Sequence, residues 1–194
     1  MKDILAYAGA LIAIFCTLPY LIDIVKRKTK PNIVTWITWS LLIGVGAAAL
    51  FASNEFNAAL LLCGDFVATF AVVLVGLRYG TVKLDRFDFF CMLGVVAGLM
   101  LWIVFNSPLI AIIATIGIDF IGTIPTVRHS YFHPEEETYL TFLLGVFASI
   151  FTLLSLHEYM VSAWVYPLYL LLSNAMLFIV ILLGQRKISK SHAK

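Results

Sequence analysis

Two stretches of the chain follow one pattern: LPYLIDIVKRKTKPN at residues 18–32 and IPTVRHSYFHPEEE at residues 124–137. In each, a proline stands within an apolar run, and a short charged connector leads into another long apolar run. The two prolines, Pro19 and Pro125, are about a hundred residues apart, roughly half the length of the 194-residue chain. A pattern that recurs at such a distance is typical of an internal repeat, so the sequence predicts a duplicated helical unit.

The composition predicts a membrane protein. Hydrophobic residues make up 62% of the chain and charged residues 12%, and the mean hydropathy is +1.00, all outside the range of soluble domains. A helix needs about 20 apolar residues to cross a hydrocarbon core. Seven stretches have about this length: 4–25, 33–53, 57–78, 87–105, 108–128, 138–156 and 160–184. Because the connectors are short, we expect one compact bundle without a soluble domain.

The repeat and the count of seven together predict how the helices are grouped. A unit of three spans crosses the membrane an odd number of times, so a second unit that followed it directly would have the opposite orientation. One additional span between the two units restores the parallel orientation. We therefore expect an all-α integral membrane protein of seven transmembrane helices, arranged as two parallel three-helix bundles joined by a linker helix (3+1+3). The first bundle would occupy residues 1–80, the linker helix residues 81–106, and the second bundle with its short basic tail residues 107–194.

The distribution of positive charge predicts the orientation. When the connectors are assigned alternately to the two sides of the membrane, one side receives every lysine and arginine except Lys2. The side rich in positive charge is normally the cytoplasmic one. We therefore expect a multi-pass protein of a bacterial inner membrane, with its N-terminus outside and its C-terminus in the cytoplasm.

Two carboxyl groups lie deep within predicted spans. Asp65 is about eight residues into the third span and Asp119 about eleven residues into the fifth, which puts both near the midplane at about 1.5 Å per residue. A charged group there costs about 2.5–3.5 kcal/mol and is a functional candidate by default. We expect both acids to couple proton movement to solute movement, with contact to a cationic group as another role for Asp119. The face of the fifth span that carries Asp119 is polar and includes Thr115, Gly122, Thr123 and Thr126.

Four residues are candidates for contact with a solute. Asn174 in the seventh span corresponds by position in the repeat to Asp65, so we expect both to face a shared axis. The alternative is that each hydrogen-bonds a neighbouring helix and only holds the bundle together. Trp36 and Trp39 share one face of the second span, where an indole can stack on a sugar, a nucleoside or an aromatic ring. Trp36 also has the position of an ordinary interfacial tryptophan.

Two prolines within the predicted spans are candidate hinges. Pro19 and Pro125 each remove a backbone hydrogen bond, and a pair at matching depth can act as hinges that close the cytoplasmic side.

The segment 134–137, which reads PEEE, is expected to start the sixth span, because carboxylates interact favourably with the N-terminus of a helix.

These features resemble the PQ-loop and SWEET clan of membrane carriers. The chain has the seven spans in three-one-three order, the N-out topology, Pro19 and Pro125 in the first helix of each unit, and polar midplane residues in the third. Where that clan commonly has Pro-Gln pairs, this chain has Pro19-Tyr20 and Pro125-Thr126. The resemblance implies paired polar residues in the pocket, at the positions of Asp65 and Asn174, and a membrane-embedded acid for proton coupling, similar to Asp119. The segment 36–39, WITW, is also similar to the paired tryptophans of Pnu-type vitamin-precursor carriers.

The sequence therefore favours a carrier that moves a small polar solute by alternating access and is coupled to protons, with a sugar, an amino acid or a nucleoside as the solute. The alternative is a seven-helix receptor or sorting receptor without transport activity. Histidine is absent from the spans and no metalloprotease motif occurs, so we expect no enzymatic activity, no cofactor and no metal. The expected partners are the lipid bilayer and the solute, with no nucleic acid, and a homo-oligomer is compatible with the sequence.

Overall fold

The computed structural model describes residues 1–27, 31, 33–82 and 86–192, and all the regular secondary structure in these residues is helical. They form eight α-helices: α1 (Lys2–Cys16), α2 (Leu18–Val25), α3 (Ile33–Ala52), α4 (Phe56–Tyr79), α5 (Arg86–Phe105), α6 (Pro108–Phe132), α7 (Tyr139–Ser155) and α8 (Val161–His192). A 3₁₀ turn, Pro134–Glu136, lies between α6 and α7. The predicted all-α class is confirmed.

Each predicted span coincides with helical structure. Among the described residues, five helical segments are long and apolar enough to cross a membrane, with α1 and α2 counted together as one segment. The apolar helices Met92–Phe105 and Tyr139–Ser155 are shorter. Most helix ends lie within a few residues of the predicted span ends, and α8 continues past its predicted end to His192.

The start of α7 differs from the prediction. The acidic segment 134–137 does not open the sixth helix, because Pro134–Glu136 form a separate 3₁₀ turn and α7 begins at Tyr139. The Nε2 group of Gln185 on α8 donates hydrogen bonds to the carbonyls of Pro134, at 2.8 Å, and Glu137, at 2.9 Å. Two bonds to α8 thus hold this turn against the neighbouring helix instead of letting it continue into α7.

The two proline-containing helices differ from each other. The first is interrupted, because α1 ends at Cys16, Thr17 is a turn residue and α2 starts at Leu18. Pro19 has no amide hydrogen for the carbonyl of Phe15, and the amide of Thr17 bonds that carbonyl instead. In the second copy, α6 continues as a helix through residue 125 to Phe132.

The helices pack in the same order in both halves of the chain. In the first half α4 packs against both α1 and α3, and in the second half α8 packs against both α6 and α7. Across the halves, α1 packs against α7 and α3 against α6. Helix α5 packs against α6 and α3. The third helix of each half is therefore the one in contact with its two companions.

Close backbone contacts hold α1 between α4 and α7. A Cβ atom added at Gly64 of α4 would lie 2.5 Å from the carbonyl oxygen of Ala10 on α1. On another side of α1, a Cβ atom at Gly9 would lie 2.8 Å from the Oγ1 atom of Thr152 on α7. Small residues let helices approach closely in membranes, where apolar burial drives association less than it does in water.

The outer surface of the bundle is apolar. On α1, the large side chains of Ile4, Tyr7, Leu11 and Phe15 recur every three to four residues and are all more than half exposed. Soluble proteins rarely expose apolar patches of this kind. A surface of this composition is compatible with contact to the lipid bilayer.

Candidate functional site

The two buried acids of the predicted spans come from different halves of the chain. Asp65 is on α4 and Asp119 is on α6, about 14 and 16 Å along their helices at 1.5 Å per residue. Both side chains are half-buried. The two residues that the sequence singles out for proton coupling thus lie at a similar depth on helices of different halves.

Tyr169 of α8 binds one of these acids directly. Its hydroxyl group donates a hydrogen bond to the Oδ2 atom of Asp119 at 2.7 Å. The same hydroxyl lies 3.4 Å from the Oγ1 atom of Thr123. Thr123 in turn donates to the backbone carbonyl of Asp119 at 2.9 Å. Asp119 is therefore fixed at both its side chain and its backbone.

Asp65 has a different environment. Its backbone carbonyl accepts a hydrogen bond from Thr69 at 2.9 Å, but the described residues supply no hydrogen-bond donor to its carboxyl group. The residue before it, Gly64, is in close contact with the backbone of α1. Asp65 is half-buried, although protein surrounds its carboxyl group.

A second tyrosine lies beside the acids. Tyr166 is 1% exposed, and its ring centroid is 6.1 Å from that of Tyr169. The charges of Asp65 and Asp119 both act on its hydroxyl group. The sequence analysis missed Tyr166 and Tyr169, although their i,i+3 spacing on α8, at a depth similar to that of the acids, could have indicated them.

The polar face predicted on the fifth span is directed into the protein along part of its length. Thr115 and Gly122 are buried, and Thr123 is half-buried. The Oγ1 atom of Thr115, one helical turn before Asp119, has no hydrogen-bond partner among the described residues. A buried hydroxyl of this kind is normally bonded to protein or water. It adds a polar atom to the neighbourhood of the acids.

Asn174 contacts the helices of its own half. Its Nδ2 group donates to the carbonyl of Leu170 at 2.8 Å, and its Oδ1 atom occupies the space beside Gly145 of α7, where an added Cβ atom would lie 2.6 Å away. The hydrogen bond lies within α8 and the contact with α7 is packing, so the alternative of a hydrogen bond to a neighbouring helix stays a prediction. A shared axis with Asp65 also stays a prediction.

Trp36 and Trp39 form an aromatic cluster with Tyr20. The ring centroids of Tyr20 and Trp36 are 5.2 Å apart, and those of Trp36 and Trp39 are 5.4 Å apart in an edge-to-face arrangement. All three side chains are half-buried. The cluster joins α2, which contains Pro19, to α3.

Comparisons with known proteins do not assign this arrangement to a family. No protein-family model, curated protein or solved structure matches the chain.

Proposed function

We propose that the protein is a membrane transporter that moves a small polar solute by alternating access between its two halves. In this proposal α1–α4 form the first three-helix bundle, α5 is the linker and α6–α8 form the second bundle. The common packing order, with α4 and α8 each in contact with two companions, supports this grouping. So does the resemblance of the sequence to the PQ-loop and SWEET clan.

One observation carries the proposal: each half contributes one half-buried acid, Asp65 from α4 and Asp119 from α6, at a similar depth in an apolar bundle. Intramembrane carboxyl groups are costly and usually mark substrate or proton pathways. A contact that only held the bundle together would not require two groups of the same charge, because like charges repel when both are ionised. A mobile proton or a cationic group relieves that repulsion.

The other residues take roles around this pair. Tyr169 holds Asp119, and Asp65 is the acid that gains and loses a proton as the halves move. Trp36, Trp39 and Asn174 are proposed to contact the solute together with Asp65. The helix break beside Pro19 provides a hinge in the first half, with residue 125 as its counterpart in the second.

Uptake into proteoliposomes tests this function. Purified protein is reconstituted, and uptake of labelled glucose, lysine, glutamate and uridine is measured with and without a pH gradient. We expect uptake of one of these classes to respond to the gradient. The double variant Asp65→Asn/Asp119→Asn should lose that response, whereas Glu135→Gln, a change of an exposed carboxyl group in the 134–136 turn, should keep it.

Two results would contradict the proposal. A folded wild-type protein that takes up none of the probes would favour the receptor alternative. An unchanged response to the pH gradient in the double variant would remove the proton-coupling role of both acids.

A further inference from the structure

The last carbonyl groups of α7 have unusual hydrogen-bond partners. The final turn of a helix leaves carbonyls without amide donors from the helix itself. On α7, two of them are bonded within the second half: the hydroxyl of Ser155 donates to the carbonyl of Thr152 at 2.7 Å, and that of Tyr159 donates to Leu153 at 3.3 Å. After Ser155 the chain turns to an extended conformation at Leu156, so its own backbone does not cap the helix.

The first half of the chain caps this helix end instead. The Nδ2 group of Asn57, in the first turn of α4, donates to the carbonyl of Ser155 at 2.7 Å. The ammonium group of Lys2 donates to the carbonyl of Leu156, also at 2.7 Å. A cation at a helix C-terminus also interacts favourably with the helix dipole. Side chains of α1 and α4 therefore complete a helix of the other half.

The equivalent helix end in the first half needs no such help. Helix α3 ends in a Schellman motif, in which Asn54 adopts a left-handed conformation with φ of 60°. The amide of Glu55 bonds the carbonyl of Leu50 at 2.9 Å, and that of Asn54 bonds Phe51 at 3.0 Å. The connector 53–55 is thus capped by its own backbone, whereas the connector 156–160 depends on the other half.

Two weaker contacts each join one of these connectors to a helix of the other half. The Nε2 atom of His157 lies 2.9 Å from Asp3, but both side chains are more than 60% exposed, so solvent weakens this pair. Ser162 at the start of α8 donates to Glu55 at 3.3 Å. A cavity of about 340 Å³ lies beside these contacts and is lined by Asn54, Glu55, Asn57, His157, Glu158 and others. Water in this cavity can replace the bonds when they break.

We propose that Lys2 and Asn57 form a latch that closes the N-terminal end of the bundle by capping α7 across the two halves. This inference rests on the proposed transport function, because it makes opening of the latch a step of the transport cycle. The latch is asymmetric: of the two equivalent helix ends, that of α7 is capped by the other half and that of α3 by its own backbone, so opening frees carbonyl groups of α7 and leaves the end of α3 intact.

Crosslinking tests whether this end must open. Asp3→Cys and His157→Cys are introduced together after Cys16, Cys63 and Cys91 are replaced by serine, and a short bis-methanethiosulfonate reagent bridges the pair. We expect the bridge to reduce uptake of the transported probe from the panel above at least about tenfold, and a reducing agent to restore it. The control pair Asp3→Cys/Glu135→Cys lies at opposite ends of the bundle and should be unaffected. Full uptake by the bridged protein would overturn the latch.

Hydrogen–deuterium exchange tests the capping without any transport measurement. In the double variant Lys2→Ala/Asn57→Ala we expect the amides of the last turn of α7 to exchange at least about tenfold faster, while those of 53–55 keep their rate. Glu158→Gln, which lines the same cavity, is the matched control and should change neither. Unchanged exchange in α7 would overturn the latch. Absence of uptake by the wild-type protein would instead remove the transport function, and the exchange rates would still decide the capping.

Discussion

The two buried acids of this bundle are chemically identical but held in different ways. Asp119 is fixed by the hydroxyl of Tyr169 at 2.7 Å and by Thr123 on its own helix. Asp65 accepts the equivalent backbone bond from Thr69, but its carboxyl group has no hydrogen-bond donor in the described part of the chain, and Gly64 beside it is in close contact with α1. The two halves therefore share a packing order, while the two acids have different surroundings.

The two proline-containing helices also differ between the halves. In the first half the helix is interrupted at Thr17, and in the second half α6 passes through residue 125 without a break. A proline removes one amide donor in both cases, so the difference must come from the neighbouring structure. The first half combines the free acid with the broken helix, and the second combines the fixed acid with the continuous one. We infer that the first half is the one that rearranges.

Single substitutions of the two acids should give the largest difference in uptake between the two halves. We expect Asp65→Asn to reduce pH-driven uptake at least about tenfold, equivalent to about 1.4 kcal/mol in the transition state. Asp119→Asn should cost less, because an amide oxygen can still accept the hydrogen bond of Tyr169. Initial uptake rates in proteoliposomes measure both. Equal losses would mean that the acids act as an equivalent pair.

The glycine beside Asp65 should be the next most sensitive position. Gly64→Ala places a Cβ atom 2.5 Å from a backbone carbonyl of α1, so the helices must separate, at a cost of about 1–3 kcal/mol. Gly117→Ala on α6 is the control, because no atom lies within 4 Å of the added Cβ. Thermal unfolding in detergent compares the two variants. An equal Tm for Gly64→Ala and wild type would show that α1 is not held by this contact.

The hydrogen bond in the second half should have a smaller effect on stability. Tyr169→Phe leaves the side chain of Asp119 without its donor, and we expect a loss of about 1 kcal/mol. Tyr166→Phe is the matched change one turn away, where the described residues provide no bond to the hydroxyl, and should cost less. Unfolding midpoints of the two variants measure the difference in stability, and uptake at several pH values measures the difference in function. A larger loss for Tyr166→Phe would remove the positioning role of Tyr169.

Replacement of the prolines should affect movement more than stability. Pro19→Ala supplies an amide hydrogen for the carbonyl of Phe15, so α1 and α2 can join into one helix. We expect uptake to fall in Pro19→Ala and to change less in Pro125→Ala, with unfolding midpoints close to wild type. The reverse order of uptake rates would place the hinge in the second half.

The smallest expected effect is a pH dependence at the N-terminal end. Burial raises the pKa of Glu55, and the charge of Glu158 raises it further, while the bond from Ser162 opposes this shift. Because the pKa is higher in the folded state, ionisation of Glu55 destabilises the fold as the pH rises. Glu55→Gln should therefore raise Tm by about 1 °C near pH 7 and leave it unchanged below about pH 4, where the wild-type residue is protonated in both states. Melting curves across this pH range show whether Glu55→Gln raises or lowers Tm.

The sequence was sufficient for the helices and for the depth of the acids, because both depend on local composition and on the rise per residue. It could not predict the Tyr169–Asp119 bond, which depends on how α8 is rotated against α6. The acidic segment 134–137 was misread because its docking on Gln185 involves residues about fifty positions away. A kink was predicted at both Pro19 and Pro125, but the interruption at Thr17 beside a continuous α6 could not be predicted, because the two local sequences are similar.

One short connection also determines how α3 and α4 can move. The amide of Ile33 bonds the carbonyl of Thr81, and the amide of Thr81 bonds that of Pro31, each at 2.9 Å. These bonds join the beginning of α3 to the end of α4, at the opposite end of the bundle from Lys2 and Asn57. Because the connector 53–55 joins the same two helices at the end where α7 is capped, α3 and α4 are tied together at both ends and are expected to move as one rigid pair.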